Sequence, residues 1–472
     1  MFQVNQNTDY WVRALANHVR DTLNSLSAST SVQVNSSSAL VSMVSDLISS
    51  SDEKRRKAGQ PTPRRKPRLD PLPVPDARKS IDLTPWEVLH AVANGLVLAR
   101  HGTGRGLAEH WQSLKYSQAL AAGRSGFVEL SDEGRMPERS YKAMQSKELS
   151  LGFGLLAAER IIKRRYPDHV LSIVDASTAL LAGWSLGGTE RSKGSRPRPE
   201  YIVEAWKPGE SSKVTLVGCK GNHEVSSRRS GRNSTLARQL ASASEQAEGV
   251  HIGSWNTTPC LLFSTGLLSQ GGVVINALQS PGTAALPVRA TEGSGSADER
   301  IKEVPHMYFN EVIIPAFDGG REARVDGFQI PYDDLTWFGQ ILARTSAAGL
   351  MAFAGGGRKT AQYLTKDQGN KHYDIATFAG SSSIHDASIT IDGAKFVGTD
   401  HVFRLNTVRV EAFSGIAKEL YPLLADGKVE GYRHAAYNLR SEWKKIDAGK
   451  WQGPISFRED GTVMALRLLS TR

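Results

Sequence analysis

Cysteine is nearly absent: Cys219 and Cys260 are the only two in 472 residues, which excludes a disulfide framework and any cysteine-rich zinc module. Long apolar runs are missing too. None reaches the roughly 18 residues that a membrane-spanning helix needs, although the chain is 40% hydrophobic and can build real cores. The opening MFQVNQNTDYWV lacks the charged-then-apolar order of a secretory signal, so a soluble, cytoplasmic protein of two or three domains is expected. Acidic residues are missing from one stretch, 54–68 (KRRKAGQPTPRRKPR), which carries eight basic side chains. Most of the formal charge of +10 therefore sits in one arm. An acidic polymer is the expected partner, and a membrane is not, because no strongly apolar helix face accompanies the charge.

The periodicities divide the chain into five parts. Residues 1–51 read as a helical segment, with Trp11, Leu15, Val19, Leu23 and Leu26 on one stripe and Leu40, Met43, Val44 and Leu47 on a second. Residues 52–79 are rich in Pro and Arg and read as an extended basic linker. A helical region covers 80–137. It opens at a capping box, Thr84-Pro85-Trp86-Glu87, and a further helix is expected near 106–122. Residues 138–290 form an α/β unit: a helix at 138–165, β-rich runs at 169–184, 201–206 and 213–219, a helix at 234–248, then strands at 259–264 and 272–278. The stretch 281–300 reads as a boundary. Residues 300–472 read as an α+β domain of unassigned role, with a strand at 401–413, helices near 334–354, 414–424 and 429–446, and a final hairpin turning at Asp460-Gly461.

Several local motifs compete for attention. Gly183-Trp184-Ser185-Leu186-Gly187 has the spelling of a hydrolase nucleophile elbow, but the following GTERSKGSRPRP cannot form the helix that aims the serine. A serine hydrolase built on Ser185 is the weakest of three functional readings. Gly102–Gly106 (GTGRG) lies between helical segments and reads as a turn. In Ala354–Thr360 (AGGGRKT) the glycines read as a helix stop rather than a phosphate loop. Cys219 and His223 lack the second pair that a zinc tetrahedron requires.

A stronger constellation lies between them. Arg198-Pro199-Glu200 enters the strand YIVEAW, and the next strand, KVTLVGCKGN, delivers Lys220. A helix bearing Glu159 precedes both strands, and a helix bearing Gln239 and Gln246 follows. Over about residues 140–280 this arrangement resembles the PD-(D/E)XK restriction-endonuclease-like superfamily. There a helix carries an acid, one strand brings an acid after proline, and the next brings acid-x-Lys. The resemblance implies a mixed sheet flanked by helices. It also implies a Mg²⁺ ion held by two carboxylates and a backbone carbonyl, which polarises a phosphodiester while the lysine orients water. Carried over by position, Glu200, Lys220 and Glu159 would be catalytic, and Glu200 and the Cys219 carbonyl would hold the metal. Two departures stand out: Glu200 replaces the usual aspartate, and Gly218 stands where the second carboxylate belongs. Glu204, on the same strand face as Glu200, and Asp175 are the candidate replacements.

The flanking loops are basic. Arg191, Lys193, Arg196 and Arg198 precede Glu200; Arg228, Arg229 and Arg232 follow Lys220. At one end of the site they would meet phosphates, and duplex DNA is favoured over single strands because no aromatic-interleaved platform is evident. The resemblance thus implies a Mg²⁺-dependent endonuclease of bacterial restriction, antiviral defence or DNA repair. The alternative, motivated by Gly218, is a catalytically inactive nuclease-like subunit that binds DNA or a partner protein.

Overall fold

The computed structural model describes residues 6–60, 69–73, 79–96, 111–136, 138–180, 198–224, 229–253, 258–269, 272–288, 311–314, 323–364, 368–369, 387–405 and 408–469. Its elements, in chain order, are helix α1 (Gln6–Ser27), strand β1 (Thr30–Asn35), α2 (Ser38–Lys57), β2 (Ser80–Leu83), α3 (Pro85–Gly95), α4 (Arg139–Arg165), β3 (Val170–Asp175), β4 (Tyr201–Trp206), β5 (Ser212–Glu224), α5 (Arg229–Glu248), β6 (Cys260–Leu268), β7 (Val273–Ser280) and β8 (Ala284–Leu286). There follow α6 (Leu335–Phe353), β9 (Ala387–Ile391), β10 (Ala394–Leu405), β11 (Val408–Ala417), α7 (Val429–Trp443), β12 (Ile455–Phe457) and β13 (Thr462–Leu468).

A mixed sheet in the order β2-β1-β7-β6-β5-β4-β3 forms the centre, with β8 beside the start of β5. Strands β3, β4 and β5 form an antiparallel meander; β6 lies parallel to β5, and β7 returns antiparallel to β6. Strands β4 and β6 are buried along their whole length, as strands covered on both faces must be. Helix α4 covers one face, packing with Val217, Cys219 and Phe263; α5 covers the other, over Ile202, Leu216 and Leu262. The close fit of α4 depends on small residues. A Cβ on Gly152 would come within 2.7 Å of the Val88 carbonyl oxygen on α3, and one on Gly154 within 2.5 Å of Cys219 Sγ.

A second, antiparallel sheet in the order β9-β10-β11-β13-β12 lies towards the C-terminus. Helices α6 and α7 share a core with it and with Val170 and Trp206 of the central sheet. The chain is therefore of mixed α/β class. Among the described residues no helix is long and apolar enough to cross a membrane.

The expected capping box is present: Glu87 N–H donates to Thr84 Oγ1 at 3.1 Å, and Thr84 N–H donates to Glu87 Oε2 at 2.8 Å. Several expectations are corrected. Residues 1–51 are not simply helical, because β1 joins the central sheet, parallel to β7 and next to the edge strand β2. The linker 52–79 is not extended throughout: α2 runs to Lys57, Leu72 is buried, and Asp70 bridges to Gln279. Residues 61–68 of the basic arm fall outside the described ones. Of the helix expected near 106–122, residues 106–110 fall outside the described ones, and the described remainder holds a short 3₁₀ turn at Gln112–Tyr116 and a strand at Leu120–Ala122. Residues 300–472 are not separate either, since Phe328–Ile330 pairs with Val250–Ile252 and Phe338, Ile341 and Leu342 of α6 join the core under α5. The strand expected at 401–413 is the hairpin β10–β11, and 414–424 continues as strand to Ala417 before the short helix Tyr421–Ala425.

Candidate functional site

Where β4 begins, the sheet brings Glu200 and Lys220 together. The last pair of the β4–β5 ladder is Tyr201 with Val217, so Glu200 comes beside Gly218 and on its face. Residues 218 and 220, two apart on β5, share that face. Lys220 Nζ donates to Glu200 Oε1, and the backbone N–H of Cys219 donates to Glu200 Oε2 at 3.1 Å. Both oxygens of the carboxylate are engaged. The pair is partly open to solvent, with side chains 28% and 23% exposed for Glu200 and Lys220.

Gly218 is buried against α5. A Cβ there would lie 3.1 Å from Ala243 Cβ, 3.4 Å from Leu262 Cδ2 and 3.6 Å from Glu200 Oε2. The position that would carry a second carboxylate thus points at the first one, and glycine leaves it without one. The Cys219 side chain points the other way, against Gly154. Burial pushes its thiol well above the usual range and Glu200 adds to the shift, with Lys220 opposing it; Cys219 is a neutral, inert packing residue at neutral pH.

The remaining expected ligands are elsewhere. Glu204 shares a face with Glu200 but lies four residues, about 13 Å, further along the strand. It is fully buried and gripped by both terminal nitrogens of Arg433, one at 3.3 Å. Asp175 pairs in register with Tyr201, which sets it on the opposite face from Glu200. Its Oδ1 accepts from Thr178 N–H at 2.7 Å and Thr178 Oγ1 at 2.9 Å, capping the short helix Ala176–Leu180. Glu159 belongs to α4, across the sheet, and accepts from Arg458 of the last hairpin. Among the described residues no three His, Cys, Asp or Glu side chains group as a metal site would require. One carboxylate whose two oxygens are already bonded does not fit a magnesium ion, which needs hard anionic donors in near-octahedral array.

Of the basic residues, Arg198 donates from Nε to Ser177 Oγ at 2.7 Å, and Arg229 and Arg232 fall in the first turn of α5. Arg191, Lys193, Arg196, Arg228 and Ser185 lie outside the described residues. His223 meets Gln145 Oε1 at 2.7 Å, and burial and Lys142 hold its pKa below the usual value. The glycines at 355–357 follow α6 and lead into a 3₁₀ turn at Gly357–Tyr363, so that motif ends a helix.

Sequence reasoning missed a polar row across the sheet. Lys220, Ser264, Asn276 and Asn35 are in register on four adjacent strands, β5, β6, β7 and β1, on the face under α5. Ser264 Oγ donates to Gln239 Oε1 at 2.6 Å, Gln239 Nε2 donates to the Gly221 carbonyl at 2.9 Å, and Asn35 Nδ2 donates to Asn276 Oδ1 at 3.2 Å. The signal available was Ser264 and Asn276 at inward positions of two mainly apolar runs, CLLFSTGLL and VVINALQS. No family model, no curated protein and no solved structure matches the chain.

Proposed function

We propose that residues 138–290 are a restriction-endonuclease-like module that holds duplex DNA, and that the chain acts as a catalytically silent DNA-binding subunit. The order of elements supports the likeness: a helix, three antiparallel strands, a second helix, and a strand parallel to the third, with the two helices on opposite faces. So does the meeting of Glu200, the Cys219 backbone and Lys220 at one strand end. The observation that carries the silence is Gly218, aimed at Glu200 where a second carboxylate would stand.

The chemistry left to such a site is electrostatic. Lys220 and Arg198, with the basic residues next to them in the sequence, offer positive charge to phosphate oxygens, which fixes a duplex in place without reading its bases. No bond-breaking step is assigned.

The test is fluorescence anisotropy with a duplex of about 30 base pairs and its single strand, across salt concentrations, beside a plasmid-nicking assay in Mg²⁺ or Mn²⁺. Duplex binding that weakens steeply with salt, without nicking, is expected. Nicking that Lys220→Ala abolishes would establish the hydrolase instead. Absence of any DNA binding would overturn the DNA assignment and leave the partner-protein reading.

A further inference from the structure

The misfit between the donor set and a divalent ion has a structural counterpart. A carboxylate withdrawn from most of its water needs a counter-charge; in this chain one is already built in. Lys220 Nζ donates to Glu200 Oε1, and Cys219 N–H satisfies the other oxygen. We propose that Lys220 is the resident cation of this site, neutralising Glu200 in place of a divalent ion, and that residue 218 decides which of the two the site holds.

The argument rests on three geometric facts. Glu200 has one cationic neighbour within ion-pair distance among the described residues, Lys220. The other acids that could raise the local negative charge are committed: Glu204 to Arg433, Glu159 to Arg458 and Asp175 to Thr178. A side chain at 218 would start 3.6 Å from Glu200 Oε2, so a carboxylate placed there would share one small volume with Glu200. Two carboxylates so close carry one negative charge more than a single ammonium balances, and a divalent ion resolves that excess better than Lys220 can. With glycine at 218, one carboxylate and one ammonium are already matched, and a divalent ion would have to displace the lysine. For its origin the site rests on the nuclease-like reading; its electrostatics do not involve DNA.

Mn²⁺ titration of the full chain at neutral pH, followed by electron paramagnetic resonance of the free ion, tests this without DNA or any activity. The wild type and Gly218→Asn, an uncharged side chain of aspartate's size, should show no site that saturates below millimolar Mn²⁺. Gly218→Asp should bind one Mn²⁺ at least tenfold more tightly than Gly218→Asn, and Glu200→Gln in that background should remove the gain. The Cβ at 218 would crowd Ala243 at 3.1 Å, so the same pair is also made in an Ala243→Gly background, where the new side chain has room. A folded Gly218→Asp that gains less than tenfold, or a wild-type site of micromolar affinity that Glu200→Gln removes, overturns the proposal. DNA binding by the wild type is read separately, so failure of the functional reading and failure of this one are distinguishable.

Discussion

Glu200 and Glu204 sit on one face of one strand, four residues apart, and meet opposite fates. Glu204 is fully buried and held by Arg433, whose guanidinium also lies 4.7 Å from the Trp206 ring. Glu200, at the strand's entry, keeps a quarter of its surface in contact with solvent and is held by a single lysine and a backbone N–H. The contrast separates an acid enclosed in the core from one left open to solvent. Burial makes either partner of the Glu204 pair costly to remove alone, since an uncompensated charge there has no water to turn to. Partial exposure leaves the Glu200 pair weak in stability and available to ions and phosphates.

The C-terminal unit extends the same lesson. Arg433 of α7 reaches Glu204 on one side of the central sheet; on the other side Arg458 reaches Glu159, and Glu459 reaches Lys163. Three ion pairs thus tie residues 429–468 to β4 and α4. Two of the acids that the sequence offers as site ligands are spent on this clamp.

The largest expected effect comes from the buried end. Arg433→Ala should destabilise the protein by about 3–5 kcal/mol in urea unfolding, because it strands Glu204. Arg433→Met with Glu204→Met should recover most of that loss. Arg458→Ala is expected to cost less, about 1–3 kcal/mol, because Glu159 retains some solvent. A larger loss for Arg458→Ala than for Arg433→Ala would break the comparison.

At the open end the expected effects are on binding. Lys220→Ala should change stability by less than about 1 kcal/mol, while lowering the slope of log affinity against log salt by about one. Replacing Arg64, Arg65, Lys66 and Arg68 by Gln should flatten that slope with little change in Tm. Residues 52–57 are excluded from that test because they complete α2, whose last turn approaches Glu245 through Arg55. Loss of stability in the four-residue variant would show that the arm is packed.

The smallest expected effect is a pH dependence. Burial holds the pKa values of His169 and His223 below the ordinary value, so the unfolded chain binds protons more readily than the folded one just below pH 6.5. Stability should therefore fall as pH drops from 7.5 to 5.5, by about 1 kcal/mol or less per histidine. His223→Gln should remove part of that slope, and an unchanged slope would take His223 out of the account.

Local signals made much of this legible. The run YIVEAW gave its strand bounds as they stand, because β-rich residues are flanked by Pro199 and Pro208. The capping box located the start of α3 to the residue. Glu200 was legible from its proline entry and Lys220 from its place on the next β-rich run, although β5 continues past it to Glu224. What was illegible depends on distant partners. Strand β1 is six residues, TSVQVN, among serines, and its place in the sheet is fixed by β7, some 240 positions later. The same holds for Glu204, whose role is set by Arg433, 229 positions away. No pattern within a strand reveals that an acid is already taken.

The most direct test of the central claim is an anomalous-scattering measurement on crystals of the wild-type chain soaked in Mn²⁺. A chain whose resident cation is Lys220 shows the Lys220–Glu200 ion pair intact and no anomalous peak within coordination distance of Glu200. A peak bound to Glu200 and the Cys219 carbonyl, with Lys220 turned away, would contradict the claim and return the site to metal-dependent hydrolysis.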